Sequence, residues 1–556
     1  MAIEFSRRCF AGLALATAAA ACASRGAGAG DLVIHGGPIY TGIASGPIVE
    51  AVRIRDGRIA FAGSLQDARA GGVGARVIHL RGAAAYPGFA DSHMHLLGVG
   101  LSALQLDLTG VASLAAMLER LRAYAAAHPT GPITGRGWIE THWPEHRFPT
   151  RADLDAVVAN RPVMLGRADG HAVAVNSAAL ALAGITDATA DPNGGRIERD
   201  ASGVATGMLI DNAEALAAAR FPTPSEAVKR EALRLAAQLY ASRGWTRLVD
   251  MGVDRADYSL WEHLVATDEF PLAADIYISG ADADFVLERG PFQDATGRLR
   301  VGGVKLYMDG ALGSRGAALL APYSDAPGSG LLLTPLDEMR TIMARARARG
   351  VQIATHAIGD RGNRLALDLY QETFAADPAG LRAARWRIEH AQVISPQDLP
   401  RFGQMGVIAS MQPSHAIGDL HFAPARLGPE RLTGAYAWAS LLNSGAVIAA
   451  GSDAPVEKGD PLIEFYAAAH RHDLTGFVGP DWRLQEAVSR AQALSMLTAG
   501  GAYATFQERE RGTIEIGKRA DISAFSVDLM QAPFAEIPSA QAVLTISDGR
   551  ITHSAL

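Results

Sequence analysis

Eight short apolar runs, separated by helix-like stretches, constrain this 556-residue chain more than any other feature. They lie near residues 87–95, 246–252, 273–279, 301–309, 351–357, 386–391, 406–412 and 446–453. Typical members are Ala273-Ala-Asp-Ile-Tyr-Ile-Ser279 and Val351-Gln-Ile-Ala-Thr-His-Ala357. Strands alternating with helices argue for parallel pairing, because a parallel connection needs a crossover long enough to hold a helix. Eight such units predict an α/β fold, a closed (β/α)8 TIM-type barrel with its chemistry at the C-terminal strand ends.

The two chain ends read differently. Residues 31–86 hold a short strand from Asp31, a hairpin over 51–61 with Asp56-Gly57 at its turn, and a strand over 76–80. Residues 508–556 repeat the style, with a strand from Ala520 to Phe525 and a hairpin turning at Asp548-Gly549. Neither end has apolar residues enough for its own core. One composite β-sandwich, built from 31–86 plus 508–556, is the expected solution, with the barrel occupying 87–507. Pro87-Gly88 marks the joint between them. From about 98 to 235 there is far more chain than one crossover uses, which predicts an insertion after the first barrel strand, lying over the barrel mouth.

Residues 1–30 read as a signal peptide. Ser6-Arg7-Arg8-Cys9-Phe10 is a twin-arginine pattern of the Tat type, and the Ala-rich run over 11–21 is shorter than the roughly 20 residues of a membrane span. An exported, periplasmic protein is expected. Both cysteines, Cys9 and Cys22, fall here, so the mature chain has neither disulfide nor thiolate ligand. Cys22, after Ala19-Ala20-Ala21, is a candidate lipid-anchor site. The net charge of -7 comes without any basic block, which argues against nucleic acid as a partner. A small-molecule substrate is the expected partner, and a homo-oligomer stays open.

The strand ends carry the chemistry. His93 and His95 lie two apart on the first strand, so their side chains face one way. Lys305 stands on the fourth run, His356 on the fifth, His390 on the sixth and Asp453 on the eighth. A buried lysine is costly without a partner. Four imidazoles, a carboxylate and a cationic lysine make a poor single-metal set. They make a good two-metal set if carbon dioxide converts Lys305 to an anionic carbamate that bridges two cations. His93, His95 and Asp453 would then hold one metal, and His356 and His390 the other. Imidazole and carboxylate donors suit Zn²⁺ best.

This pattern resembles the amidohydrolase superfamily, and more narrowly the amidohydrolase family 3 branch that includes N-substituted formamide deformylases. The resemblance rests on Pro87-Gly-Phe-Ala-Asp-Ser-His-Met-His95, Pro149-Thr-Arg-Ala-Asp-Leu-Asp155 and Asp169-Gly-His-Ala-Val-Ala-Val-Asn-Ser177. It continues through Val304-Lys-Leu-Tyr-Met-Asp-Gly-Ala-Leu-Gly-Ser-Arg315, Thr355-His-Ala-Ile-Gly-Asp360, Ile388-Glu-His390 and Gly451-Ser-Asp-Ala-Pro455. Ala311 stands where relatives usually have Ser. The resemblance implies a metal-bearing barrel that cleaves a non-peptide, N-acyl or N-formyl amide C–N bond, with Asp453 as proton carrier and Lys305 as carbamate.

Three more residues are candidates for substrate binding: His171 and Trp138 in the insertion, and Arg315 after the fourth strand. Rival readings are a mononuclear deaminase of a cyclic amidine and a metal-dependent binding protein without turnover. The deaminase reading lacks its expected Glu after His356, where the chain reads Ala-Ile-Gly-Asp360. A site with a bridging cysteine is excluded by the cysteine-free mature chain.

Overall fold

The computed structural model describes residues 31–556. The expected signal peptide, with Cys9 and Cys22, lies outside the described residues. Eight barrel strands follow the sequence: β1 (Phe89–Met94), β2 (Trp245–Val253), β3 (Ala273–Ser279), β4 (Leu299–Tyr307), β5 (Gln352–Ala357), β6 (Arg387–His390), β7 (Ile408–Met411) and β8 (Ile448–Ala450). Each pairs in parallel with the next, in chain order from β1 to β8. β1, β5, β6, β7 and β8 are buried along their whole length, as expected of strands covered on both faces.

The barrel is nearly closed, and the seam between β8 and β1 is made just past the end of β8. The Asp453 N–H donates to the His93 carbonyl at 2.6 Å, and the His95 N–H donates to the Ala454 carbonyl at 2.8 Å. The buried Asp91 carboxylate accepts the Ser452 N–H at 2.8 Å and its hydroxyl at 2.5 Å. Gly451 permits this approach, since a Cβ there would stand 2.4 Å from the His93 nitrogen.

Helices cover the barrel where the sequence caps them. Ser225 accepts the Val228 N–H at the start of the Glu226–Arg243 helix, and Gly244, at φ 102°, ends it in a left-handed conformation that favours glycine. That helix buries Leu233, Ala236, Ala237 and Tyr240 in the same core as Trp245 of β2.

The chain ends combine into one sheet. Strand Ala84–Pro87 pairs antiparallel with Ile522–Phe525, which joins the N-terminal strands to the C-terminal hairpin. Both hairpin turns carry positive φ at two successive residues, Asp56 and Gly57 (49° and 75°) and Asp548 and Gly549 (51° and 74°), the form that matches strand twist. Ile34, Ile54 and Leu80 from one end pack with Ile522, Leu544 and Ile546 from the other. At the joint, the Gly88 N–H donates to the Asp521 carbonyl at 2.8 Å, and a Cβ on Gly88 would meet Thr246 Oγ1 at 2.4 Å.

Between β1 and β2 the chain builds a third sheet, of six strands. Their order is Gly195–Arg199, Ala205–Asp211, Ala172–Val175, Val163–Arg167, Ile133–Trp138 and Leu106–Asp107. Among the described residues, no helix is long and apolar enough to cross a membrane.

Ile522 belongs to the core shared by the two ends, so Ile522→Ala is expected to cost about 2–5 kcal/mol. Denaturant unfolding monitored by circular dichroism checks this. An unchanged midpoint would mean that the two ends do not depend on one another.

Candidate metal centre

The strand order delivers six polar side chains to one end of the barrel. His93 is the fifth residue of β1, and His95 follows the strand. Lys305 precedes the end of β4 by two residues, His356 precedes the end of β5 by one, and His390 ends β6. Asp453 stands three residues past β8. The parallel register sets Tyr307 beside His356 and Ala357 beside His390, so these ends lie at one level.

The side chains converge on the Asp453 carboxylate. Its Oδ1 lies 3.2 Å from His95 Nε2 and 3.4 Å from His93 Nε2. Lys305 Nζ is 3.3 Å from His93 Nε2. The His390 ring centroid is 4.8 Å from that of His93 and 4.5 Å from that of His356. His93, His390 and Asp453 each offer a donor atom, and these atoms lie within 4.8 Å of one another. His390 and Asp453 sit at positive φ (71° and 56°), a conformation costly for residues with a Cβ and held where surrounding structure demands it.

Electrostatics tune these groups for ligation. Burial and the Lys305 charge hold the His93 imidazole down at about 4, against the favourable pull of Asp453 and Glu389. Burial and neighbouring charges push His356 and His390 well below the ordinary histidine value. All three are neutral at pH 7 and keep a lone pair. Burial also lowers Lys305 to about 8, although Glu389 and Asp453 favour its cation. Burial works to raise the Asp453 carboxyl, but His93, His95 and His390 beside it outweigh this and keep it well below the usual range.

A surrounding layer sets each ring. The His93 Nδ1–H points at Glu389 Oε2 at 2.6 Å, which turns Nε2 inward. Glu389 is gripped by the buried Arg387 guanidinium at 2.5 and 3.0 Å. His390 Nδ1 meets Gln412 Oε1 at 2.8 Å. Asp309 accepts the N–H groups of Ala318, Ile358 and Gly359 at 2.8–2.9 Å and so pins the loop after β5.

The arrangement fits a bound cation on its own terms. Among the described residues, His356 Nε2 is buried without a hydrogen-bond partner, and Asp453 Oδ1, with His95 Nε2 at 3.2 Å, makes no well-aligned hydrogen bond, which is costly unless another group completes them.

The three further candidates part company. His171, from the inserted sheet, brings its ring centroid to 5.1 Å from that of His356 and holds Asp211 Oδ1 at 2.7 Å. Burial disfavours its imidazolium, yet Asp211, Asp169 and Glu214 outweigh this and lift it to about 9. Trp138 is fully buried among Trp143, Leu165 and Phe148 in the inserted sheet's own core, with its N–H donated to the Leu165 carbonyl at 2.8 Å. It walls no pocket. The Arg315 guanidinium is paired with Asp325 at 2.9 and 3.2 Å, and Arg426 joins the same carboxylate.

Sequence reasoning missed Glu389, Gln412, Asp211 and His415. His415 Nε2 lies 3.5 Å from Asp453 Oδ2. Glu389 was visible as the neighbour of His390, but its service to His93, 296 positions away, depends on the closed barrel.

Comparison with known proteins agrees with this geometry. The amidohydrolase family profile matches residues 76–553, and the chain belongs to that family. It is an amidohydrolase, an enzyme of the hydrolase class. YtcJ of Bacillus subtilis, assigned by name to the amidohydrolases, is 33% identical over 532 residues, covering 93% of this chain and 98% of its own. The N-substituted formamide deformylase of Arthrobacter pascens is 28% identical over 543 residues, covering 94% and 98%. An uncharacterized metal-dependent hydrolase of Pyrococcus horikoshii superposes with a TM-score of 0.74 at 27% identity, over 91% of this chain and 99% of its own.

Because Glu389 orients a candidate ligand, Glu389→Gln is expected to weaken metal binding about 10–100-fold. Competition against a chromogenic chelator measures it. Wild-type affinity in the variant would remove Glu389 from the account.

Proposed function

We propose that this site holds two divalent metal ions, most simply Zn²⁺, and hydrolyses the C–N bond of a small N-acyl or N-formyl amide. The observation that carries this reading is the buried convergence of neutral imidazoles and the Asp453 carboxylate around a lysine whose proton is loosely held. His93, His95 and Asp453 would hold one ion, and His356 and His390 the other. Lys305 would bridge them as a carbamate. A neutral lysine amine adds to carbon dioxide and releases a proton, and the lowered Lys305 pKa supplies that neutral amine at modest cost.

When bound, the ions supply an acidified water and a Lewis acid for the carbonyl. The chain's own residues do the rest. Asp453 takes a proton from the attacking water and returns it to the leaving nitrogen, acting first as base and then as acid. Its two oxygens face different neighbours: Oδ1 faces His93 and His95, and Oδ2 faces His415. The products are an amine and an acid. His171, held by Asp211 beside His356, is placed to meet the substrate from the inserted sheet.

The deformylase named above acts, by its name, on N-substituted formamides, and a formamide or other small N-acyl amine is the substrate class proposed here. The deaminase alternative loses support at Asp360. That residue stands in the stretch after His356 where a proton shuttle would sit, but its carboxylate accepts the Leu320 and Arg361 N–H groups at 2.8 and 3.0 Å.

A hydrolysis screen over N-formyl, N-acyl, peptide and cyclic amides, on metal-quantified protein, tests the reading. Amine release from an N-formyl or N-acyl compound is expected, and Asp453→Asn should retain metal while losing about 10²–10⁴-fold in kcat. Normal turnover in a metal-replete Asp453→Asn protein would refute the role given to Asp453.

A further inference from the structure

His415 stands at the edge of the centre with a nitrogen that nothing in the structure uses. It lies on the Pro413–Asp419 helix, immediately after β7, and is 8% exposed. Its Nε2 is buried and, among the described residues, has no hydrogen-bond partner. The nearest acidic atom to that nitrogen is Asp453 Oδ2 at 3.5 Å, too long and too poorly aligned for a hydrogen bond. An orphaned buried donor costs free energy of its own, so the site gains when a further group reaches it.

The ring is held in place. It stacks nearly parallel to His390, at 5.8 Å between centroids and 18° between planes. Its helix is anchored at the start, where the Ser414 N–H donates to Glu464 Oε2 at 2.9 Å. At the helix end, Asp419 accepts the Gln392 amide at 2.5 Å and the Tyr436 hydroxyl. Gln412, one turn before His415, holds His390. The segment after β7 therefore addresses the centre twice, once by orienting a ligand and once with a free nitrogen.

His415 is not one of the three residues whose donor atoms gather within 4.8 Å of one another. It flanks that cluster on the side of Asp453 Oδ2, the oxygen opposite the one facing His93 and His95. The nitrogen of a neutral imidazole that faces a carboxylate oxygen is the one that carries the hydrogen. That hydrogen lies beside the carboxylate proposed to carry the proton, and so beside the reacting amide.

We propose that His415 is a catalytic residue of this site: its Nε2–H donates a hydrogen bond to the amide carbonyl oxygen as negative charge grows there. The inference rests on the amide-hydrolase reading above. No proton is transferred to or from His415; it acts as a fixed hydrogen-bond donor, placed before the reaction begins. Hydrogen bonds of this kind are long in the free enzyme and shorten as the transition state forms.

His415→Leu and His415→Gln, each with metal content measured, test this. The leucine variant should keep wild-type metal and KM and lose about 10²–10³-fold in kcat, and the glutamine variant, which keeps an N–H donor, should recover most of that loss. Inorganic phosphate, a tetrahedral oxyanion, gives a readout apart from turnover: calorimetry should show it bound about tenfold more weakly by the metal-replete leucine variant. Loss of metal from His415→Leu would make His415 a ligand and overturn the proposal. Unchanged kcat and phosphate affinity would overturn it equally. Should the leucine variant not fold, His415→Asn, whose donor is too short to reach, replaces it against His415→Gln under the same criteria. A metal-replete wild type that cleaves no amide refutes the hydrolase reading alone, and phosphate binding still decides whether His415 is an oxyanion donor.

Discussion

The hydrogen bond from the Asp453 N–H to the His93 carbonyl, 2.6 Å long, is the constraint on which the rest of the site depends. It joins the last barrel strand to the first, and its two residues are both proposed ligands. Closing the barrel and assembling the site are therefore one event. Asp91, Ser452 and Gly451 reinforce the seam from beneath, with a carboxylate that takes both the backbone and the hydroxyl of Ser452 and a glycine that lets the strands touch. Asp91 is itself pushed up to about 7 by burial, which its hydrogen bonds only partly offset, so it is held at a cost that the seam repays.

Burial does chemical work at the centre. A dry surrounding disfavours every cation, so the histidines stay neutral and Lys305 gives up its proton readily. The same dryness would leave a cluster of lone pairs and one carboxylate uncompensated. A positive guest answers that imbalance, and His356 Nε2, without a hydrogen-bond partner among the described residues, marks one place where it is felt. The inserted sheet adds a counterweight from outside the barrel, since the Asp211 carboxylate keeps His171 charged beside His356.

The barrel was legible because its strands are continuous apolar runs, buried on both faces, and the run over 273–279 coincides with β3 residue for residue. The two Asp-Gly turns were legible because that dipeptide tolerates positive φ. The sequence shows the inserted sheet only as an excess of chain after the first barrel strand. The sheet's strands are interrupted by glycines such as Gly135 and Gly137, which weaken alternation in sequence while the close packing of Leu106 and Thr109 requires them in space. Trp138 and Arg315 show a different limit. Residue type suggested a binding role for each, but the partners that occupy them, the Leu165 carbonyl and Asp325, are matters of tertiary structure. His415 was passed over for the opposite reason: one histidine after a Gln-Pro-Ser stretch carries no spacing signal, and only the fold reveals its free nitrogen.

Metal content is the most direct test of the account. Protein prepared in zinc-supplemented medium, freed of loosely bound ions and analysed by inductively coupled plasma mass spectrometry, should carry about two metal ions per chain. One ion per chain would contradict the bridged centre built on Lys305, and none would contradict the metal site altogether.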